Sequence, residues 1–167
     1  MAEAKHTYCI DSSSLLELRA LDSDVFHGIW EVLADAVAAG ILHAPHEVLR
    51  EVTKYDTTTA SWAKAHKAMF VIPNQALVDK VVEVQDKFSF FDPETDEPKA
   101  DPFLVAHAIL TGCTVVTQER AAGKSSKVKI PDACTHFGAK SITLSEFFRE
   151  QGWTFVGSRK VTSSSPR

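Results

Sequence analysis

The sequence predicts an α/β protein, a three-layer α/β/α fold around a central, mainly parallel sheet. Short runs of strand formers alternate with longer segments of helical periodicity along the chain. Within that alternation, residues 113–117 (CTVVT) read as a buried strand, entered from a helix that Gly112 closes. No internal repeat interrupts the pattern.

Residues 6–10 (HTYCI) form the first strand. It breaks at Asp11-Ser12-Ser13-Ser14, a cluster suited to ending a strand and capping a helix that uses Leu15, Leu16 and Leu18. Apolar residues at 25, 26, 29, 30, 32, 33, 36 and 37 have the helical period, so a helix is expected over 25–39 with Gly40 at its C-terminal cap. A second strand over 41–44 follows, and Pro45 opens a helix over 45–54 with Val48, Leu49 and Val52 inward. A helix over 58–67, a brief strand at 70–72 and a charged helix over 75–87 come next. The acidic, proline-bearing stretch 92–99 is a loop. Asp101-Pro102 starts the helix that Gly112 ends, and residues 121–129 make a polar, basic loop. A helical turn within 130–136, a strand at 141–143 and a helix over 144–150 capped by Thr143 complete the order.

Composition narrows the classes. At 167 residues and 44% hydrophobic, the chain fits one domain, residues 1–156, with a real core; residues 157–167 form a tail almost free of apolar side chains. Residues 1–6 are polar and lack the apolar stretch of a signal peptide, and no apolar run approaches the roughly 20 residues that span a bilayer. A cytoplasmic location without membrane attachment is the expectation. Of the three cysteines, Cys9 and Cys113 read as small buried hydrophobes, and no Cys/His spacing suits zinc. The histidines, among them His43, His46, His66 and His107, read as packing residues, and Trp30, Trp62 and Trp153 as core. A net charge of −4 argues against binding nucleic acid through a broad basic surface, but not against acids concentrated in a metal pocket.

Two acids stand at the carboxyl ends of expected strands, Asp11 and Glu119, where open parallel sheets bind ligands. Two more, Glu51 and Asp101, lie in helices reached from that same edge. Each has a simpler reading. Asp101 before Pro102 suits a helix cap, Asp11 before serines suits a cap or turn, Glu51 and its neighbour Glu47 suit a solvated face, and Glu119 suits a loop. Four converging carboxylates would instead repel unless a cation neutralised them, and hard oxygen ligands suit magnesium or manganese.

The order of the motifs resembles the PIN-domain (PilT N-terminus) family, the fold of VapC-like ribonuclease toxins, over about residues 6–156. YCIDSSSLLEL resembles the opening strand-Asp-Ser/Thr-helix motif, and APHEVLREV the segment that selects Glu51 over Glu47. ADPFLVAHAILTGCTVVTQE resembles the Asp-led helix and buried strand that bring Asp101, Thr117 and Glu119. The closing KIPDACTHFGAKSITLSEFFREQGW resembles a bacterial subgroup of PIN-like proteins. Glu119 stands where most of the family has aspartate.

The resemblance implies a PIN-like fold and a metal-dependent ribonuclease holding Mg2+ or Mn2+ through Asp11, Asp101, Glu51 and Glu119. Ser12 and Thr117 would orient a water or the scissile phosphate, a hydroxyl satisfying local backbone being the alternative for each, and the products would carry a 5′-phosphate and a 3′-hydroxyl. It further implies an RNA substrate, an antitoxin partner and a possible homodimer. Arg120, Lys124 and Lys127, with Lys129, are the expected phosphate contacts; a solvated basic loop is the alternative. A catalytically inactive PIN-like binding or scaffold module is the competing reading. A haloacid-dehalogenase-like phosphatase needs a second Asp where Ser13 stands, and the sequence around Cys9 lacks the paired acids of a receiver domain.

Overall fold

A computed structural model describes residues 6–55, 57–90, 99–123 and 127–157. Among the described residues five strands make one sheet: β1 (Tyr8–Ile10), β2 (Leu42–Pro45), β3 (Phe70–Val71), β4 (Thr114–Val116) and β5 (Ser141–Ile142). Their order is β3-β2-β1-β4-β5, and every pairing is parallel. Parallel neighbours need crossovers, which helices supply. The crossover helices are α1 (Ser12–Glu17), α2 (His27–Ala38), α3 (His46–Tyr55), α4 (Thr57–Ala65), α5 (Gln75–Lys87), α6 (Asp101–Thr111) and α7 (Ile130–His136), and α8 (Leu144–Glu150) follows β5. The result is a three-layer α/β/α fold.

The chain builds outward from β1 through β2 to β3, then returns to the other side of β1 for β4 and β5. That reversal sets a topological switch point between β1 and β4, at whose carboxyl edge open parallel sheets bind ligands. Strands covered on both faces carry continuous apolar side chains, and Cys9, Ile10, Val115 and Val116 are all fully buried. The central helix α6 packs on β1, β2, β4 and α5. It is therefore apolar nearly all round, with Leu104, Val105 and Ala106 wholly inside. Gly112 ends it in the left-handed conformation (φ 71°), a backbone state that side-chain-bearing residues rarely adopt.

Local differences from the expected boundaries have physical causes. Helix α2 begins at His27 rather than 25, because the N–H groups of Val25 and Phe26 both donate to the Asp22 carbonyl and form a separate turn. Pro45 is the last residue of β2, paired with Val71, and not the first of α3; a proline that lacks an N–H is tolerated at a strand end. Thr143 caps α8 in a reciprocal box with Glu146, as expected. Trp30 is buried and meets half-buried Trp62 edge-on at 5.6 Å, while Trp153 is half-buried against Phe147. No helix among the described residues is long and apolar enough to cross a membrane. The tail expectation for 158–167, most of the acidic loop and the expected contact Lys124 fall outside the described residues.

Candidate functional site

Asp11 leaves β1 directly into the switch point and is 2% exposed. Its backbone N–H donates to the Val116 carbonyl at 2.9 Å, which fixes it beside the end of β4. Its Oδ2 accepts hydrogen bonds from Ser13 Oγ at 2.5 Å and Thr117 Oγ1 at 3.0 Å. Although Asp11 sits at the N-cap position of α1, its carboxylate makes no capping bond. The capping reading fails for Asp101 too: Ala100 holds the N-cap, and Asp101 is the first residue of α6 with Pro102 behind it. Lys99 lowers the Asp101 carboxyl, but by less than burial and the neighbouring acids raise it.

Glu51 joins these two acids. Its Oε2 accepts from Ser12 Oγ at 2.5 Å, and its Oε1 accepts from the Ala100 N–H at 2.8 Å, one residue before Asp101. The same Ser12 hydroxyl lies 3.3 Å from Asp11 Oδ1. With one proton to give, it donates to the nearer Glu51. Glu47 is also buried on α3, but it is Glu51 whose charge acts on both Asp11 and Asp101.

Glu119 is close enough to act on both aspartates, yet its two oxygens are engaged elsewhere. Oε1 lies 3.2 Å from Lys129 Nζ, and Oε2 accepts the N–H of Ile130, the first residue of α7, at 2.9 Å. One basic residue of the expected phosphate loop thus turns inward to an acid, while Arg120 and Lys127 are exposed.

Burial and like charge set the electrostatics. Burial pushes Asp101 up to about 7, and the charges of Asp11, Glu119 and Glu51 add to it. Asp11 is raised as well, first by burial, against the lowering effect of the Ser13 and Thr117 hydroxyls. Both shifts report a surplus of negative charge that the surrounding donors do not cancel. Ser13, missed at the level of sequence, is central here: it holds Asp11 and accepts the Gln118 N–H at 3.1 Å. Its signal was its place two residues after an aspartate, where side chains commonly close local turns.

A second group gathers cysteines and histidines that local spacing does not connect. Cys9, His43, His107 and Cys113 each bring one ligand atom within 4.8 Å of the others, a set that could hold a metal. Cys9 and Cys113 are buried free thiols, as expected. Local spacing concealed the group because its members come from four separate segments.

No curated protein resembles the chain at a significant level. A crystal structure described as PAE2754 from Pyrobaculum aerophilum is similar in fold, with a TM-score of 0.48 and 18% identity over 89% of this chain and 98% of that one. The profile described as a domain of unknown function, DUF4411, matches residues 8–155, nearly the whole described chain, and the protein belongs to that family.

Proposed function

We propose that the protein is a divalent-metal-dependent endoribonuclease of the PIN type. The observation that carries this reading is the uncompensated charge at the switch point: Asp11 and Asp101 are both held above the usual carboxylate range beside Glu51 and Glu119. Such a cluster costs stability unless a cation occupies it, and hard carboxylate oxygens favour Mg2+ or Mn2+. A bound divalent cation supplies neutralisation of phosphate charge and a water acidic enough to ionise near neutral pH.

Asp11 and Asp101 are the residues that would hold it, with Glu51 completing the set. Ser12 donates to Glu51 and Thr117 to Asp11, so both act as positioning residues that aim the carboxylates. Glu119 braces the start of α7 and adds negative potential, rather than offering a free oxygen. Arg120 and Lys127 are exposed and are the proposed contacts to an RNA backbone. A toxin role, with an antitoxin covering the acidic cluster, a homodimer and a cytoplasmic location, belongs to the same proposal and rests on the motif resemblance.

The test is cleavage of a panel of structured and single-stranded RNAs by full-length protein dialysed free of divalent ions. Cutting on addition of Mg2+ or Mn2+, with 5′-phosphate ends and loss in Asp11→Asn, is the expected result. RNA bound but never cut by wild type with either ion defeats the nuclease reading and favours a binding scaffold.

A further inference from the structure

We propose that Cys9, His43, His107 and Cys113 form a tetrahedral zinc site inside the fold, separate from the acidic cluster. Cys9 and His43 are register partners on the parallel strands β1 and β2. Cys113 lies two residues before Val115, which pairs with Cys9, so the period-2 alternation of strands brings its side chain to the same face. Helix α6 covers β1, β2 and β4 and supplies buried His107 from its inner side.

The four ligand atoms lie within 4.8 Å of one another. Zinc bonds of about 2.3 Å to sulfur and 2.0–2.1 Å to nitrogen place tetrahedral ligands roughly 3.3–3.8 Å apart, so small side-chain rotations close the set. The two imidazoles are neighbours, with ring centroids 4.8 Å apart and planes crossed at 69°. His43 Nε2 is buried without a hydrogen-bond partner, an orphaned acceptor or donor that a metal would satisfy.

The donor set also chooses the ion. Two thiolates and two neutral imidazoles suit zinc and suit magnesium poorly. Binding releases the thiol protons of Cys9 and Cys113, so Zn2+ with two thiolates is neutral overall and carries no net charge into the core. Alternatives for the group leave something unexplained: packing alone leaves Nε2 unsatisfied, and a Cys9–Cys113 disulfide leaves both histidines without a role.

The location gives the site a purpose. Its ligands come from β1, β2, α6 and the entry to β4, and these same elements carry or lead into Asp11, Glu51, Asp101 and Glu119. His107 is six residues along α6 from Asp101, about 9 Å of helix rise. Zinc would staple together the four segments that present the acids.

The experiment uses full-length protein without a histidine tag, reduced, with metal content measured per chain and Co2+ then exchanged into the site. Near one zinc per chain is expected, together with intense visible cobalt bands and a near-ultraviolet thiolate-to-cobalt band. Cys113→Ser should lower that charge-transfer intensity by roughly half, since Cys9 remains a thiolate ligand, whereas Asp101→Asn, in the other site, should keep it in full. Zinc removal should lower the melting temperature, a readout independent of RNA cleavage. If Cys113→Ser does not fold, the wild-type cobalt spectrum still decides. Protein purified without zinc whose reduced form takes up no Co2+, or takes it up with only weak octahedral bands, overturns the proposal. Undiminished thiolate-band intensity in a folded Cys113→Ser does so equally.

Discussion

Replacing Asp101 by asparagine removes one negative charge from the switch-point cluster while nearly preserving shape. In the folded protein this carboxyl is raised from 3.8 to about 7, chiefly by burial and then by Asp11, Glu119 and Glu51. The folded state therefore holds its proton more tightly than the unfolded state. Stability from this group is full below the unfolded value and falls as pH rises from about 4 to about 7. The ionised form is penalised by about 4 kcal/mol at most, and partial exposure of Asp101 reduces that to about 2 kcal/mol. In protein dialysed free of divalent ions, Asp101→Asn should raise the melting temperature by roughly 4–8 °C at about pH 8. The gain should shrink towards pH 4, where wild type carries the proton itself. Added Mg2+ or Mn2+ should reverse the ranking, because wild type alone regains a ligand. Calorimetry or dye-monitored melting across that pH range reads all three effects. A variant destabilised equally at both ends of the range would refute the electrostatic argument and make Asp101 an ordinary structural residue.

Ser13→Ala removes the 2.5 Å hydrogen bond to buried Asp11 and the acceptor of the Gln118 N–H, so it should cost about 1–3 kcal/mol and weaken Mn2+ binding measured by electron paramagnetic resonance. Phe147→Ala, at a fully buried position that packs on Tyr8 and Trp153, should cost about 3–5 kcal/mol in a denaturant titration. The double variant Arg120→Ala/Lys127→Ala should weaken RNA binding and reduce its log-log salt slope by roughly 1–2. An unchanged slope would remove this loop from the RNA path.

Much of the fold was legible because parallel α/β proteins write their elements into local periodicity. The order of strands and helices, Gly40 and Gly112 at helix ends, and the Thr143 cap all follow from short-range rules. Asp11 and Glu119 were legible as strand-end acids for the same reason. What lay beyond reach is long-range. Local sequence cannot say that Ala100, not Asp101, would cap α6, because Glu51, distant in the chain, takes the Ala100 N–H. Nor can it say that Glu119 would be drawn to Lys129 and the start of α7. The Cys9, His43, His107 and Cys113 group was invisible for that reason too: motif spacing detects ligands brought together by one turn, and these are brought together by strand register and a crossover helix.

Occupation of the acidic cluster by a hard divalent cation is measured directly by anomalous scattering from a crystal of the full-length protein soaked in Mn2+. The predicted result is a peak roughly 2.0–2.3 Å from carboxylate oxygens of Asp11 and Asp101. At saturating Mn2+, a cluster without such a peak, with Asp11 still bonded only to Ser13 and Thr117, would contradict it.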